Sequence, residues 1–363
     1  MRGVRVLTAS DIDQVAELHN LVFLPSRSMT PQLRQRYRDW LETVFLNNPT
    51  RVPGFDALVF ENEGKIVGFI GVVGRRFTLR GQPYTGTLHS NFIVHPDHRG
   101  RGVGGSLFQA YLESPRDFAF VDEVGENNRP LHERLGMTVS LAQSVRWVLP
   151  LRPVRRLASR FTDRLLPKVL RPAALLPADV MDAMLRHVPR SPYKFAAPDL
   201  EVAPLSPTGL SSLIAGAPGA ELLRPAAGDG STEWLIERAK AMESHGHGHL
   251  VLSSLHAKGT VVGWYVYYAN KGGRSEVLQL VADPAWTAPV LDSLTHDAWV
   301  RGATSLSGVL HPAFLAPLAW RHAAFEPSVR WMLVQTRRPA ILEAFVRGQS
   351  LLSRLDGEWC HHA

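Results

Sequence analysis

Residues 94–107 read VHPDHRGRGVGGSL, and this stretch decides the fold. A strand-like run, Phe92-Ile93-Val94, leads into it, and a helix-like run, Ser106–Leu112, leads out of it. This order is typical of a strand, a tight loop and a helix. Arg99–Gly105 contains four glycines and two arginines. Because the first N–H groups of a helix have no intrahelical partner and glycines let an anion come close, the stretch predicts a phosphate-binding loop.

Two nucleotide-binding fingerprints fit this loop poorly. No Lys-Ser or Lys-Thr pair follows the last glycine, which excludes a Walker loop. Gly100–Gly105 matches the dinucleotide pattern G-x-G-x-x-G, but a dinucleotide-binding domain opens with that unit, whereas about 90 residues precede it here. A glycine-rich turn without a ligand is the remaining alternative, and it does not need two arginines beside the glycines.

The whole pattern V-H-P-x-x-R-G-x-G-V-G-x-x-L resembles the acyl-CoA loop of the GCN5-related N-acetyltransferase (GNAT) family, in which Q/R-x-x-G-x-G/A follows a V-x-P strand end. The resemblance implies acetyl-CoA, or another acyl-CoA, as cosubstrate, and no metal. It also implies that a backbone N–H of the bulged strand before the loop donates to the reaction's oxyanion. The pantetheine arm would be lined by Phe92, Ile93 and Val94. The pyrophosphate would be held by Arg99, Gly100, Arg101, Gly102, Val103, Gly104 and Gly105.

A second segment, Asn127–Met137, resembles the N…LY-x-x-LGF segment of the same family. Asn127 or Asn128 matches the asparagine that contacts pantetheine. His132 stands where the family usually has the tyrosine that protonates the leaving thiolate. A histidine can donate a proton near neutrality because its ordinary pKa is about 6.5. The alternative is that His132 only packs beside the cosubstrate.

The general base has several candidates. Family members often carry a carboxylate on the strand before the loop, but the matching residues here are His89-Ser90-Asn91. His89 could accept the proton directly or through water. Asp122, Glu123 and Glu126 end the next predicted strand and are the other candidates, although such residues are more often structural. The predicted catalytic residues are His132, Glu123 and His89.

The chain contains a second, diverged copy of the same pattern. Three pairs of segments correspond: Gly64–Phe69 with Gly259–Trp264, Ile93–Pro96 with Val281–Pro284, and Ser144–Leu149 with Ser328–Leu333. Their offsets fall from 195 through 188 to 184, as small deletions after a duplication would cause. The second copy lacks the glycine loop, and Pro289 removes a backbone donor there. We therefore expect only the first copy to bind CoA in the usual way.

These patterns predict an α/β (α+β) protein with two tandem GNAT folds, each a mixed, mostly antiparallel central sheet flanked by helices. In the first fold, separate strands are expected over Lys65–Val73 and Arg75–Leu79. The tail segment Leu355–Trp359 is expected to dock, near the acceptor site. The predicted domains are a GNAT domain with the acyl-CoA loop (1–150), a basic amphipathic linker (151–200), a degenerate GNAT-like domain (201–340) and a C-terminal tail (341–363).

Composition restricts the partners and the location. The net charge of +7 suits an anionic ligand such as CoA, while no recognition motif supports nucleic acid. A single cysteine, Cys360, points to a reducing compartment. No long apolar window or signal peptide is present, so a cytoplasmic protein is expected. The arginine-rich helix expected over 151–171 either exposes its arginines to solvent or contacts anionic lipid at a membrane surface. The histidines at 245, 247 and 249 fit a solvated loop better than a metal site.

The predicted function is an acetyl-CoA-dependent N-acetyltransferase that acylates a primary amine by direct attack. The favoured acceptor is a small polar amine, for example an amino sugar, and a protein amine is the alternative. A non-catalytic acyl-CoA-binding sensor or scaffold is the rival from another class. The lack of a carboxylate beside His89 favours the sensor slightly, whereas the Asn127–His132 segment favours the enzyme.

Overall fold

The computed structural model describes residues 2–26, 28–167, 170–189, 191–217, 222–327 and 330–361. Its strands are β1 (Arg2–Val6), β2 (Leu58–Asn62), β3 (Lys65–Leu79), β4 (Gln82–Val94), β5 (Phe118–Gly125), β6 (Thr138–Val139), β7 (Val145–Pro150), β8 (Glu201–Pro204), β9 (Arg224–Pro225), β10 (His249–Ala257), β11 (Thr260–Ala269), β12 (Arg274–Ala282), β13 (Ser305–Val309), β14 (Ala324–Pro327) and β15 (Arg330–Thr336). Its helices are α1 (Ile12–Phe23), α2 (Pro31–Leu41), α3 (Val103–Glu113), α4 (Arg129–Arg134), α5 (Pro153–Leu165), α6 (Arg171–His187), α7 (Pro207–Gly216), α8 (Ser231–Ala241), α9 (Thr287–Val300), α10 (Leu315–Trp320) and α11 (Pro339–Val346).

The strands form two sheets of the same design. The first has the order β1-β2-β3-β4-β5-β15-β6, with β9 beside β3, and the second has the order β14-β7-β13-β12-β11-β10-β8. Neighbouring strands in the described chain pair antiparallel, except for β4 with β5 and β12 with β13. The prediction of two mixed, mostly antiparallel sheets flanked by helices is therefore confirmed.

The two sheets exchange one strand each. β7 lies between β13 and β14 of the second sheet, although it precedes every other strand of that sheet in the chain. β15 lies between β5 and β6 of the first sheet. The exchanged strands belong to the repeated motif at Ser144–Leu149 and 328–333, of which residues 328 and 329 lie outside the described part. Each sheet is thus completed by a strand from the other half of the chain.

One long strand replaces the two strands expected before Leu79. β3 runs without interruption through Gly74, which lies between the two expected strands. A Cβ atom at Gly74 would lie 3.0 Å from Phe55 Cβ and 3.1 Å from Val52 Cβ. The glycine therefore allows the segment before β2 to pack closely on the strand, and it does not end the strand.

A large apolar cluster contains residues from both halves of the chain. Trp40 and Phe69 from the first half share this core with Trp264 and Tyr268 from the second half and with Trp359. All five side chains are buried. Because apolar burial stabilises a fold roughly in proportion to the area removed from water, the halves stabilise each other.

The segment after β7 forms two helices that pack on each other, α5 and α6. The sequence suggested one helix through Arg171, but α5 ends at Leu165, since Pro167 disfavours the helical conformation of the residue before it. Phe161 and Leu165, which the helical spacing places near its apolar face, are exposed. Lys168 and Val169 lie outside the described residues.

The start of α5 offers a test of this helix pair. The Asp182 carboxylate accepts hydrogen bonds from the N–H groups of Val154 and Arg155, both at 2.9 Å. We expect Asp182→Ala to lower the free energy of unfolding by about 1–2 kcal/mol, because two backbone donors lose their acceptor. Denaturant melts would measure this, with Asp199→Ala on an exposed segment as the control. Equal stability of the two variants would contradict the capping role.

Candidate active site

The glycine-rich loop connects β4 to α3. Gly100 and Gly102 have φ values of +73° and +83°, which L side chains rarely adopt. Gly102 directly precedes α3, so the first N–H groups of that helix lie beside the loop. A Cβ atom at Gly100, Gly102 or Gly105 would meet nothing within 4 Å. With Arg99 and Arg101 exposed beside it, the loop has the room and the positive charge that a pyrophosphate requires.

Next to the loop, β4 and β5 separate. They pair only over Gly86–Leu88 and Phe118–Phe120. The pairing of β4 with β3 shifts register in the diverging part, so that Asn91 and Phe92 lie opposite the single residue Ile70. Such a bulge bends the strand and leaves backbone groups unpaired. The result is a cleft between the strands, with the bulge on its edge.

A pocket adjoins this cleft. The structure brings five predicted site residues together in its wall: His89, Phe92, Glu123, Asn128 and His132. It adds residues that sequence reasoning had not assigned to the site, among them Phe23 of α1, Arg330 of β15 and Glu358. The last belongs to Ser353–Trp359, here named the docking segment, which contacts β4 and β5. The pocket is therefore built from both halves of the chain.

The two histidines of the pocket are linked. Nδ1–H of His132 donates to the Asn128 carbonyl at 3.0 Å, which leaves the lone pair on Nε2. Nε2–H of His89 then donates to His132 Nε2, at 3.2 Å. Burial lowers the pKa of both imidazoles, so the pair is neutral near pH 7. In this state His132 can protonate a leaving group only after it has received a proton itself.

The carboxyl of Glu358 is buried in the wall of the pocket. It is 7% exposed, and no hydrogen bond to its carboxyl is formed within the described chain. Burial, together with the Asp122 and Glu123 carboxylates, raises the pKa of Glu358 well above its usual range. Its N–H donates to Asp122 Oδ1 at 2.7 Å, and burial raises the pKa of Asp122 to about 6. A carboxyl in such surroundings can take up a proton near neutral pH.

Ion pairs hold the docking segment in place. Arg354 pairs with Asp122 at 3.1 Å and also with Glu123. Arg75 pairs with Asp356 at 2.5 Å, and both side chains are buried. Breaking a buried pair leaves an uncompensated charge, so these contacts fix the position of Glu358. Glu123 also pairs with Arg330, so two arginines hold its carboxylate.

The remaining predicted residues lie around the cleft. Ile93 is 2% exposed and packs in the core behind β4, so only its backbone reaches the cleft side. Phe92 and Val94 pack on the opposite face, towards α3. Val103 is buried beneath α3 and offers only its N–H to a ligand. Asn127 is exposed and does not contribute to the pocket wall.

Two further features concern metals and membranes. Over the described ranges, no group of three or more His, Cys, Asp or Glu side chains could hold a metal ion. Of the alternating histidines, His249 Nδ1 lies 3.4 Å from a Glu243 carboxylate oxygen, and the His247 ring lies 5.5 Å from the Tyr268 ring. None of the helices that the structure describes is both long and apolar enough to cross a membrane.

Comparison with known proteins agrees with this geometry. Residues 3–117 match a family model described as an acetyltransferase (GNAT) domain. The L-amino acid N-acyltransferase MnaT of Escherichia coli K12 is 25% identical over 148 residues, which are 38% of this chain and 80% of that protein.

Solved structures resemble the chain over nearly its whole length. A protein from Enterococcus faecalis V583 has a TM-score of 0.59 at 9% identity, covering 94% of this chain and 75% of that one. A GCN5-related N-acetyltransferase from Anabaena variabilis has a TM-score of 0.58 at 12% identity, covering 93% and 73%. One from Kribbella flavida has a TM-score of 0.54 at 15% identity, covering 92% and 71%. At these identities the likeness establishes the fold.

Proposed function

We propose that this chain, whose residues 3–117 match the model of a GNAT acetyltransferase domain, transfers an acetyl group from acetyl-CoA to the primary amine of a small polar acceptor, such as an amino sugar. The observation that carries the proposal is the buried Glu358 carboxyl in the pocket beside the cleft. In this proposal, residues 1–150 bind the cosubstrate. Residues 201–340 shape the acceptor side, 151–200 connect the two, and 341–363 supply the docking segment.

When bound, acyl-CoA supplies a thioester carbonyl, and the chain's residues bind, orient and move protons around it. The loop glycines hold the pyrophosphate. An N–H of the Asn91–Phe92 bulge donates to the carbonyl oxygen as negative charge develops there. Glu358 accepts the proton of the attacking amine. His132, which His89 orients, passes to the sulfur a proton that it first takes up from solvent.

The charges of the pocket favour a cationic acceptor. The carboxyls in its wall are Glu123 and Glu358, and the cation in its wall is Arg330. With these three groups ionised, the wall carries one net negative charge, which a single ammonium group would neutralise. The amino acid acceptor in the name of the E. coli relative is also a small primary amine. The docking segment borders the pocket and leaves less room for a protein surface.

Thiol release from acetyl-CoA tests this function. The purified full chain would be assayed with a panel of small amines, amino sugars and amino acids among them, and with lysine-containing peptides. We expect turnover above the rate of hydrolysis for at least one small amine. CoA binding without turnover for any amine would favour the sensor, and turnover of peptides alone would favour a protein acceptor.

His132 offers a milder test of the proton path. We expect His132→Phe to lower kcat by about tenfold, because a thiolate with a pKa near ~8.5 leaves without complete protonation. His132→Tyr introduces the residue usual in the family and should recover part of that loss. An unchanged kcat in the phenylalanine variant would mean that His132 only packs beside the cosubstrate.

A further inference from the structure

The β4 bulge contains a backbone conformation that needs support. Asn91 has a φ of +52°, which is uncommon for any residue other than glycine. It is 4% exposed and forms the bulge with Phe92. Asparagine adopts this conformation more readily than most residues, but still less readily than glycine. Something outside the strand must therefore keep Asn91 in place.

That support comes from α1. Nε2–H of His19 donates to Asn91 Oδ1 at 3.1 Å, and His19 Nδ1 accepts from the Tyr37 hydroxyl at 3.2 Å. On its other side, Asn91 Nδ2–H donates to Ser90 Oγ at 3.3 Å. His19 is 8% exposed, and its ring lies 4.6 Å from Phe23, which lines the pocket.

We propose that His19 is a positioning residue, which holds Asn91 in its left-handed conformation and thereby fixes the bulge N–H that receives the oxyanion. The role of the bulge N–H toward an oxyanion rests on the proposed function. The hydrogen bond from His19 to Asn91, here named the tether, does not depend on that function. His19 touches neither cosubstrate nor acceptor in this role. Because Phe23 packs on His19, an acceptor bound against Phe23 presses on the same ring that holds the bulge.

A pair of substitutions at one position tests the conformational part. Asn91→Ala and Asn91→Gly both remove the amide, but only glycine adopts a φ of +52° without strain. We expect the alanine variant to lose on the order of tenfold more kcat than the glycine variant, since small misplacements of a catalytic donor are costly. His19→Ala should lower kcat on the order of tenfold with little change in the KM for acetyl-CoA. The double variant His19→Ala with Asn91→Gly should recover most of that loss.

Glu63 is the matched control, because it has a φ of +53° in an exposed turn away from the pocket. Glu63→Ala should leave kcat unchanged. Equal loss in Asn91→Ala and Asn91→Gly, or no recovery in the double variant, would overturn the proposal.

Hydrogen exchange gives a second readout that does not depend on turnover. In His19→Ala, the amides of residues 89–94 should exchange faster, and Asn91→Gly should restore their protection in the double variant. If this pattern holds but wild type acylates no amine, the proposed function fails and the tether stands. If wild type is active and exchange at 89–94 is unaltered in His19→Ala, the tether fails alone.

Discussion

Glu358→Gln is expected to lower kcat for amine acylation by about 10²- to 10⁴-fold, the range that a positioned general base contributes. The glutamine keeps the size of the side chain but cannot accept the proton of the ammonium. Binding of acetyl-CoA should be unaltered, because Glu358 belongs to the docking segment and not to the glycine-rich loop. Steady-state thiol release and a CoA titration would measure the two effects.

The dependence of kcat on pH offers a second test of Glu358 as the general base. A general base works only when deprotonated, and burial raises the pKa of Glu358 well above its usual range. Wild-type kcat should therefore rise as the pH rises through that pKa and level off above it. The residual activity of Glu358→Gln should lack this rise. Glu343→Gln on α11 is the control and should keep the wild-type pH profile. If kcat of Glu358→Gln still rose with pH as in wild type, the general base would be His89 or Glu123 instead.

The second large effect is expected at the loop. We expect Gly102→Val to raise the Kd for acetyl-CoA about 100-fold, a change of about 2.7 kcal/mol. Valine is strained at a φ of +83°, and its methyl groups would fill the open space beside the α3 N–H groups. Isothermal titration with acetyl-CoA would measure the affinity.

Gly81 provides a control with the same strain. It has a φ of +74° in the turn between β3 and β4, and a Cβ there would meet nothing within 4 Å. Gly81→Val should lose stability to a similar extent and keep its affinity for acetyl-CoA. Similar affinities in Gly81→Val and Gly102→Val would argue against the loop as the pyrophosphate site.

The glycine-rich loop could be predicted from the sequence, because consecutive residues form it. The glycines of residues 100–105 and the apolar strand before them are enough to predict the strand, the loop and the helix N-terminus. His132 could be proposed from the resemblance of Asn127–Met137 to a family segment, and His89 and Glu123 from their places on the strands before and after the loop. Their side chains line one pocket because β4 and β5 are neighbouring strands of one sheet and α4 follows β5 in the chain.

The other wall of the pocket could not be predicted from such patterns. Glu358 lies 235 residues beyond Glu123 in the sequence, and its position depends on Arg75 and Arg354 pairing with carboxylates in remote elements. The segment Leu355–Trp359 is predicted to dock near the acceptor site, but the sequence does not single out Glu358 or the residues that hold it. The repeat at Ser144–Leu149 was visible, yet a repeat predicts a fold and does not show that its last strands change sheets.

The strand exchange has a consequence for how the chain folds and how it could have evolved. Leu333 of β15 pairs with Val121 of β5, so the first sheet stays incomplete until roughly 200 further residues have been synthesised. Until then β5 has an open edge, which is a hazard for aggregation on the ribosome. A gene shortened after the first copy would encode a sheet without that strand. The second copy lacks the glycine loop, but deletion of that copy would remove β15 from the first sheet. This dependence can preserve the second copy even where it has no chemistry of its own.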